Sequence, residues 1–170
     1  MSARAARILR GYTTCRYGQL HFLEGRPALG CGRAPTLILL HQNPSASMEY
    51  EPLLREMCTD RRVIAFDTPG YGMSDRPAAP LSISGYAAAF ADGLDALGLE
   101  SPLDVFGFHT GSLLAIELAL LRPDRIARVA LLQVAGKGVQ ISIDSFVFQL
   151  LIPALGTHRR GRGQEHFELG

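Results

Sequence analysis

The stretch Val105-Phe106-Gly107-Phe108-His109-Thr110-Gly111-Ser112 decides how this chain is read. An apolar strand, Leu103 to Phe108, runs into a Gly-x-x-x-Gly turn that opens directly onto the apolar run Leu113 to Leu121. Two glycines placed this way let strand and helix approach more closely than any Cβ would allow. They also present the central side chain on a sharp, strained bend. In the G-x-S-x-G form of the bend that side chain is a nucleophile, and here it is His109. The framework predicts strand, tight bend and helix, while its centre leaves the chemistry open.

Three further apolar runs surround this one: Leu37-Ile38-Leu39-Leu40, Val63-Ile64-Ala65-Phe66 and Val129 to Val134. They are near-continuous rather than alternating, as parallel strands covered on both faces require. Helical patterns lie between them, so the chain reads as α/β, a doubly wound, mostly parallel sheet. Ahead of it, Tyr12 to Tyr17 and Leu20 to Leu23 predict an antiparallel hairpin turning at Gly18-Gln19 and forming a sheet edge. The first helix is expected after a Ser47 N-cap, with Glu49 and Glu51 near its positive end and Leu53, Leu54 and Met57 facing inward. The second starts near Ser82 or Ser84, carries Tyr86, Phe90, Leu94 and Leu97 on one face and stops at Gly98. The third, Leu113 to Leu121, is apolar almost all round and is expected to be the most buried.

At 170 residues, 47% hydrophobic and 19% charged, the chain can bury roughly 70% of its unfolded surface, enough for one core. We divide it into a flexible N-terminus (1–10), an α/β body (11–136), the start of a lid helix (137–156) and a disordered tail (157–170). The lid rests on the apolar stretch Ile141 to Ile152, halted at Pro153. The sparse tail reads as a truncation or reading-frame error that leaves the Val129 to Val134 strand as an exposed sheet edge. A net charge of +1 argues against nucleic-acid partners. Cys15, Cys31 and Cys58 lack metal or redox spacing and read as free thiols. No metal site is expected, and no apolar run reaches 18 residues, so the expected setting is cytoplasmic, without membrane contact.

Three loops leave the carboxyl ends of the parallel strands: His41-Gln42-Asn43-Pro44-Ser45-Ala46-Ser47, Asp67 to Pro77, and the Gly107 to Gly111 bend. Ligands of open α/β sheets bind at that rim. His41-Gln42-Asn43-Pro44 resembles an H-G-x-P oxyanion loop. Asp67-Thr68-Pro69-Gly70-Tyr71-Gly72-Met73-Ser74 resembles a D-x-x-G-x-G-x-S loop. With the bend, the ordered set resembles the α/β-hydrolase family, in the branch of epoxide hydrolases, haloalkane dehalogenases and esterases, over about residues 11 to 136. The resemblance implies cofactor-independent hydrolysis of a small apolar ester, epoxide or carbon-halogen substrate. It also implies an oxyanion hole from the N–H groups of Asn43 and Thr110, with His41 and Gln42 beside the ligand and Asn43 imitating a halide contact. Asp67-Thr68-Pro69-Gly70 also imitates a GTPase metal loop, but no G-x-x-x-x-G-K-[ST] follows the first strand.

The chain departs from the family pattern in three places. His109 stands at the nucleophile position, Gln42 replaces the glycine of H-G-x-P, and the usual acid and base positions have no counterpart. Two readings of His109 stand at this point: a nucleophile of altered chemistry, or a polar side chain tolerated at positive φ. Two readings of function follow: a hydrolase, or a catalytically inactive small-molecule binding protein. His41 also reads as a structural histidine, Asp67 as a residue fixing its own turn, and Ser74 and Ser112 as loop-stabilising and packing hydroxyls. The sequence does not indicate an oligomeric state.

Overall fold

A computed structural model describes residues 7–27, 34–99, 102–132 and, for the backbone, 148–150. Seven strands form one sheet in the order β1-β2-β4-β3-β5-β6-β7. They are β1 (Arg7–Cys15), β2 (Gly18–Arg26), β3 (Thr36–Leu40), β4 (Val63–Phe66), β5 (Leu103–Phe108), β6 (Ile126–Leu132) and β7 (Phe148–Leu150). β3 pairs parallel with both β4 and β5, and β5 pairs parallel with β6. The four apolar runs are these four strands, and Val63 to Phe66 are buried throughout because both faces of β4 are covered.

The helices are α1 (Glu51–Met57), α2 (Ile83–Ala96) and α3 (Thr110–Leu121). α2 and α3 cover one face, where Phe90, Leu94, Leu114 and Leu118 pack on Ile38, Leu40, Phe66 and Val105. The other face, including Leu37, Leu39, Val63 and Ala65, packs on Tyr50 and on Leu54 of α1. The chain thus steps from β3 to β4 in one direction and returns past β3 to β5 in the other. In open α/β sheets such a reversal is where ligands bind, here at the carboxyl ends of β3 and β5.

Several expectations need correction. The hairpin is longer than expected, and residues 7–10 belong to β1 rather than to a flexible N-terminus. It turns at Arg16-Tyr17, because Gly18 pairs with Cys15. Gly18 has φ 121°, and the Asp75 carboxylate occupies the space a Cβ there would need. Ser47 does not cap α1. A 3-10 turn (Ser47–Tyr50) preceded by Ala46 comes first, and the Ser47 N–H is taken by Asp67. Ser82 does cap α2, accepting from the Gly85 N–H at 3.1 Å, and Gly98 follows the helix end at φ 63°. α3 buries only one side: Ile116, Leu120 and Leu121 are exposed.

β6 begins at Ile126, earlier than expected, and β7 pairs antiparallel with it over Val129, Ala130 and Leu131, so this side of β6 is no free edge. Phe148–Leu150, expected within a lid helix, is therefore strand. The remaining lid residues, the 157–170 tail, residues 133 and 134, and Cys31 lie outside the described residues. Cys15 and Cys58 are free thiols.

The bend between β5 and α3 is set by backbone contact. A Cβ on Gly107 would overlap the Gly111 carbonyl, and a Cβ on Gly111 would overlap the carbonyl oxygens of Leu40 and His41. Because backbone cannot yield as a side chain tip can, Gly111→Ala is expected to destabilise by about 3 kcal/mol. Gly98→Ala has open space around the new methyl group and should cost only about 1 kcal/mol for its left-handed backbone. Urea denaturation of both variants checks this; equal losses would contradict the close-approach account.

Candidate functional site

The parallel pairing brings the three loops together. Leu40 is in register with Gly107 and with Phe66. Asn43 and Thr110 therefore lie three residues beyond one paired position, and Asp67 one beyond the next strand. Gly111 seats its backbone against the Leu40 and His41 carbonyls, joining the bend to the 41–44 loop. Tyr50 donates from its hydroxyl to the Leu40 oxygen at 2.8 Å, fixing the same strand end from the other face.

His109 occupies the apex at φ 51° and ψ −113° and is the only non-glycine residue with positive φ among the described residues. Such a conformation costs about 1–3 kcal/mol and persists only where surrounding contacts enforce it. The His109 N–H donates to the Leu132 oxygen (2.8 Å), and its carbonyl accepts from the Ser112 N–H (3.0 Å). The Ser112 hydroxyl donates within reach of the Gly107 (2.9 Å) and Leu132 (3.1 Å) carbonyls. Ser112 is thus a structural hydroxyl, as its position inside the helix suggests. The His109 ring is exposed, and Nδ1 lies 3.2 Å from the Thr110 hydroxyl. Among the described residues no carboxylate pairs with it. Thr110 begins α3, where N–H groups have no intrahelical acceptor. Neither its N–H nor that of Asn43 donates to another described residue.

Behind this rim lies a buried polar network. His41 is fully buried. Its Nδ1 donates to the Gln42 carbonyl at 2.7 Å, and its Nε2 accepts from the Thr68 N–H at 2.9 Å. Those partners fix the neutral Nδ1–H tautomer, and burial holds the pKa below the ordinary histidine value despite the nearby Gln42 carbonyl, Asp67 and Glu49. With both nitrogens engaged, His41 clamps two loops and has no lone pair left for a substrate.

Asp67, also buried, accepts from the Ser47 N–H (2.6 Å), the Met73 N–H (2.7 Å) and His21 Nδ1 (2.9 Å). Its reach is therefore longer than the local turn expected of it. Burial alone would raise its pKa, but hydrogen bonds from Met73 and Ser47 and the proximity of His21 outweigh that and lower it. A side chain on Gly72 (φ 54°) would collide with this carboxylate. Ser74 closes the network, donating to the Asp67 carbonyl (2.8 Å) and accepting from the His21 N–H (2.9 Å). His21 was absent from the sequence candidates, since a histidine in an alternating hairpin strand carries no motif.

Gln42 keeps its backbone outside the left-handed region and donates its N–H to Glu49 at 3.3 Å, so the position does not require glycine. The Asn43-Pro44 peptide is cis. The side-chain oxygens of Asn43 and Thr68 are buried without a partner among the described residues. A separate hollow of about 320 Å³, lined by Leu37, Leu39, Phe106 and Val129, lies toward the start of β5, where Arg61 and Arg128 pair with Asp104. It is away from these loops. Among the described residues no His, Cys, Asp or Glu cluster could hold a metal ion, and no helix is long and apolar enough to cross a membrane.

The network predicts acid sensitivity. His41 has a folded pKa below its unfolded value of 6.5, so the unfolded chain takes up a proton first as pH falls. The His41 contribution is complete above about pH 6.5 and is lost through the window below it, down to the folded pKa. Asp67, depressed below 3.8, contributes fully above its unfolded value and loses that contribution as pH falls through its folded value. The urea midpoint should therefore drop as pH falls below about 6.5 and again as it falls below about 3.8. Long-range ¹H–¹⁵N spectra should show His41 Nε2 unprotonated at about pH 6. A protonated Nε2 there would contradict the clamp.

The alpha/beta hydrolase fold family profile matches residues 35–150, more than half of the chain. Haloalkane dehalogenase 2 of Mycobacterium tuberculosis is 29% identical over 115 residues, covering 67% of this chain and 38% of the relative. The haloalkane dehalogenase of Psychrobacter cryohalolentis is 32% identical over 115 residues, covering 66% and 36%. The structure of an epoxide hydrolase from an endophytic Streptomyces superposes with a TM-score of 0.65 at 30% identity, covering 73% of this chain and 36% of that one. The chain thus spans well under half the length of these relatives. On the fold, the bend and the matched residues, it belongs to the α/β-hydrolase fold family.

Proposed function

We propose that the crevice between the ends of β3 and β5 binds a small, largely apolar ester, epoxide or carbon-halogen substrate for cofactor-free hydrolysis. The N–H groups of Asn43 and Thr110 would act as its oxyanion donors. The observation that carries this reading is the register: Leu40 opposite Gly107, with Gly111 pressed on the Leu40 and His41 carbonyls, joins the two loops that carry these donors. Thr110 adds the positive end of α3, where an anion is favoured. The unpartnered Asn43 oxygen is an acceptor, and a donating water, such as the one that hydrolysis consumes, would satisfy it.

In this reading His109 is the nucleophile toward esters; an epoxide or alkyl halide would leave its imidazole alkylated by a bond that water does not cleave, so turnover through His109 is confined to the ester class. Its exposed imidazole attacks the carbonyl carbon of an activated ester, the bond to the leaving aryloxide breaks, and water then cleaves the acyl-imidazole to carboxylate. The step is restricted to good leaving groups, because imidazole forms no stable ester intermediate. Gln42 borders the crevice, while His41 shapes it without touching substrate.

A second reading is a binding protein that does not turn its ligand over. It is favoured by the absence of a carboxylate partner for His109 among the described residues, since a nucleophile without an orienting base loses most of its rate. Assay of the chain with 4-nitrophenyl acetate separates the two. Hydrolysis above the buffer rate that falls at least about tenfold in His109→Ala supports the enzyme. Saturable binding of the ester without turnover, equal in both proteins, supports the binding protein and overturns the first reading.

A further inference from the structure

We propose a second ligand site, for a small organic carboxylate with a flat apolar body, in the hollow between the β4–α2 loop and the first turn of α2. The hollow holds about 480 Å³, and Gly70, Tyr71, Arg76, Pro77, Pro80 and Tyr86 line it together with two alanines. That volume lies within the ordinary range for small-molecule sites, roughly 300–1,000 Å³.

Its walls are fixed before any ligand arrives. The Gly70 N–H donates to the Asp75 carbonyl (2.9 Å), Tyr71 to Thr68 (2.8 Å), Ser74 to Tyr71 (3.1 Å), and Asp75 to Gln19 of β2 (2.9 Å). Pro77 and Pro80 stiffen the remainder by fixing φ. The Tyr71 ring is braced edge-on against His41, with centroids 6.1 Å apart. Tyr86 anchors the far side by packing against the core.

The charge at the mouth selects the ligand. Arg16, Arg61, Arg125 and Arg128 are each engaged by a carboxylate of the protein. Arg76 is exposed and has neither an ion pair nor a hydrogen bond among the described residues. No Asp or Glu lines the hollow. The neighbouring Asp75 carboxylate is turned away to the Gln19 N–H at 2.8 Å. A planar guanidinium sharing one lining with two half-buried phenol rings and two prolines matches a planar carboxylate on an apolar ring: the fork takes two oxygens and the rings cover the body. The site uses neither His109 nor the β3–β5 crevice, so it stands or falls apart from the hydrolytic reading.

The test is calorimetric titration of the full chain with benzoate, benzamide and inorganic phosphate, with backbone amide NMR to locate the response. Benzoate is expected to saturate and to shift residues 70–80 and 86. Benzamide, which keeps the ring but lacks the charge, and phosphate, which keeps a charge but lacks the ring, should each bind at least about tenfold more weakly. Arg76→Gln should weaken benzoate by a similar factor without moving the urea midpoint, because its head is solvent-exposed. The proposal is overturned by no benzoate binding, by benzamide or phosphate binding as tightly as benzoate, or by an unaffected Arg76→Gln protein. Shifts clustered at residues 41–44 and 109–111 would overturn it too, by assigning the carboxylate to the other crevice.

Discussion

The contact of backbone on backbone at Gly107, Gly111 and the Leu40 carbonyl governs the rest of this structure. Parallel strands place their ends side by side but do not by themselves bring a helix onto the neighbouring strand. Here the first turn of α3 lies directly on the end of β3 because neither glycine has a Cβ to hold it away. The bend must then close within the residues between them, which forces His109 to positive φ. Its strain is offset by hydrogen bonds that cross the bend, from His109 to Leu132 and from the Ser112 hydroxyl to Gly107 and Leu132.

A second set of interactions converts that geometry into a rim. Loops at strand ends are ordinarily mobile and carry many polar groups, and burying such groups is unfavourable unless each is paired. His41 and Asp67 supply pairing from within, one as a neutral clamp on Thr68 and Gln42, the other as a carboxylate gathering N–H groups from two loops and an imidazole from β2. The N-terminal hairpin is therefore part of the site's foundation through His21, even though it sits toward the sheet edge. The proposed crevice would then have the Asp67 carboxylate behind it and the Asn43 and Thr110 N–H groups in front, as stabilisation of charge developing on a ligand requires.

Much of this was legible in the sequence wherever one residue type permits one geometry. The glycines of the bend, the continuous apolar strands and the Ser82 and Gly98 ends of α2 all have a local physical cause, and apart from the earlier start of β6 they stand where expected. What escaped depends on long-range partners. Ser47 looks like a helix cap until Asp67 takes its N–H. Gly18 looks like a turn residue until Asp75 is seen in the space a side chain would fill. Leu120 and Ile116 look buried because apolarity does not say which side of a helix has a neighbour. Within the site, the positions of His41, Asn43, Asp67, His109 and Thr110 could be read from motif order. That His41 has both nitrogens occupied could not, since it depends on the Thr68 N–H lying 2.9 Å away.

The central claim is that the Asn43 and Thr110 N–H groups face one point beside His109. Titration with bromide, a monatomic anion that must be shared by both donors, tests it most directly through their backbone amide resonances. The account predicts that the two amides shift with a single common midpoint while Gly98, remote from the rim, stays still. Two different midpoints, or a response at only one of the two amides, would contradict it.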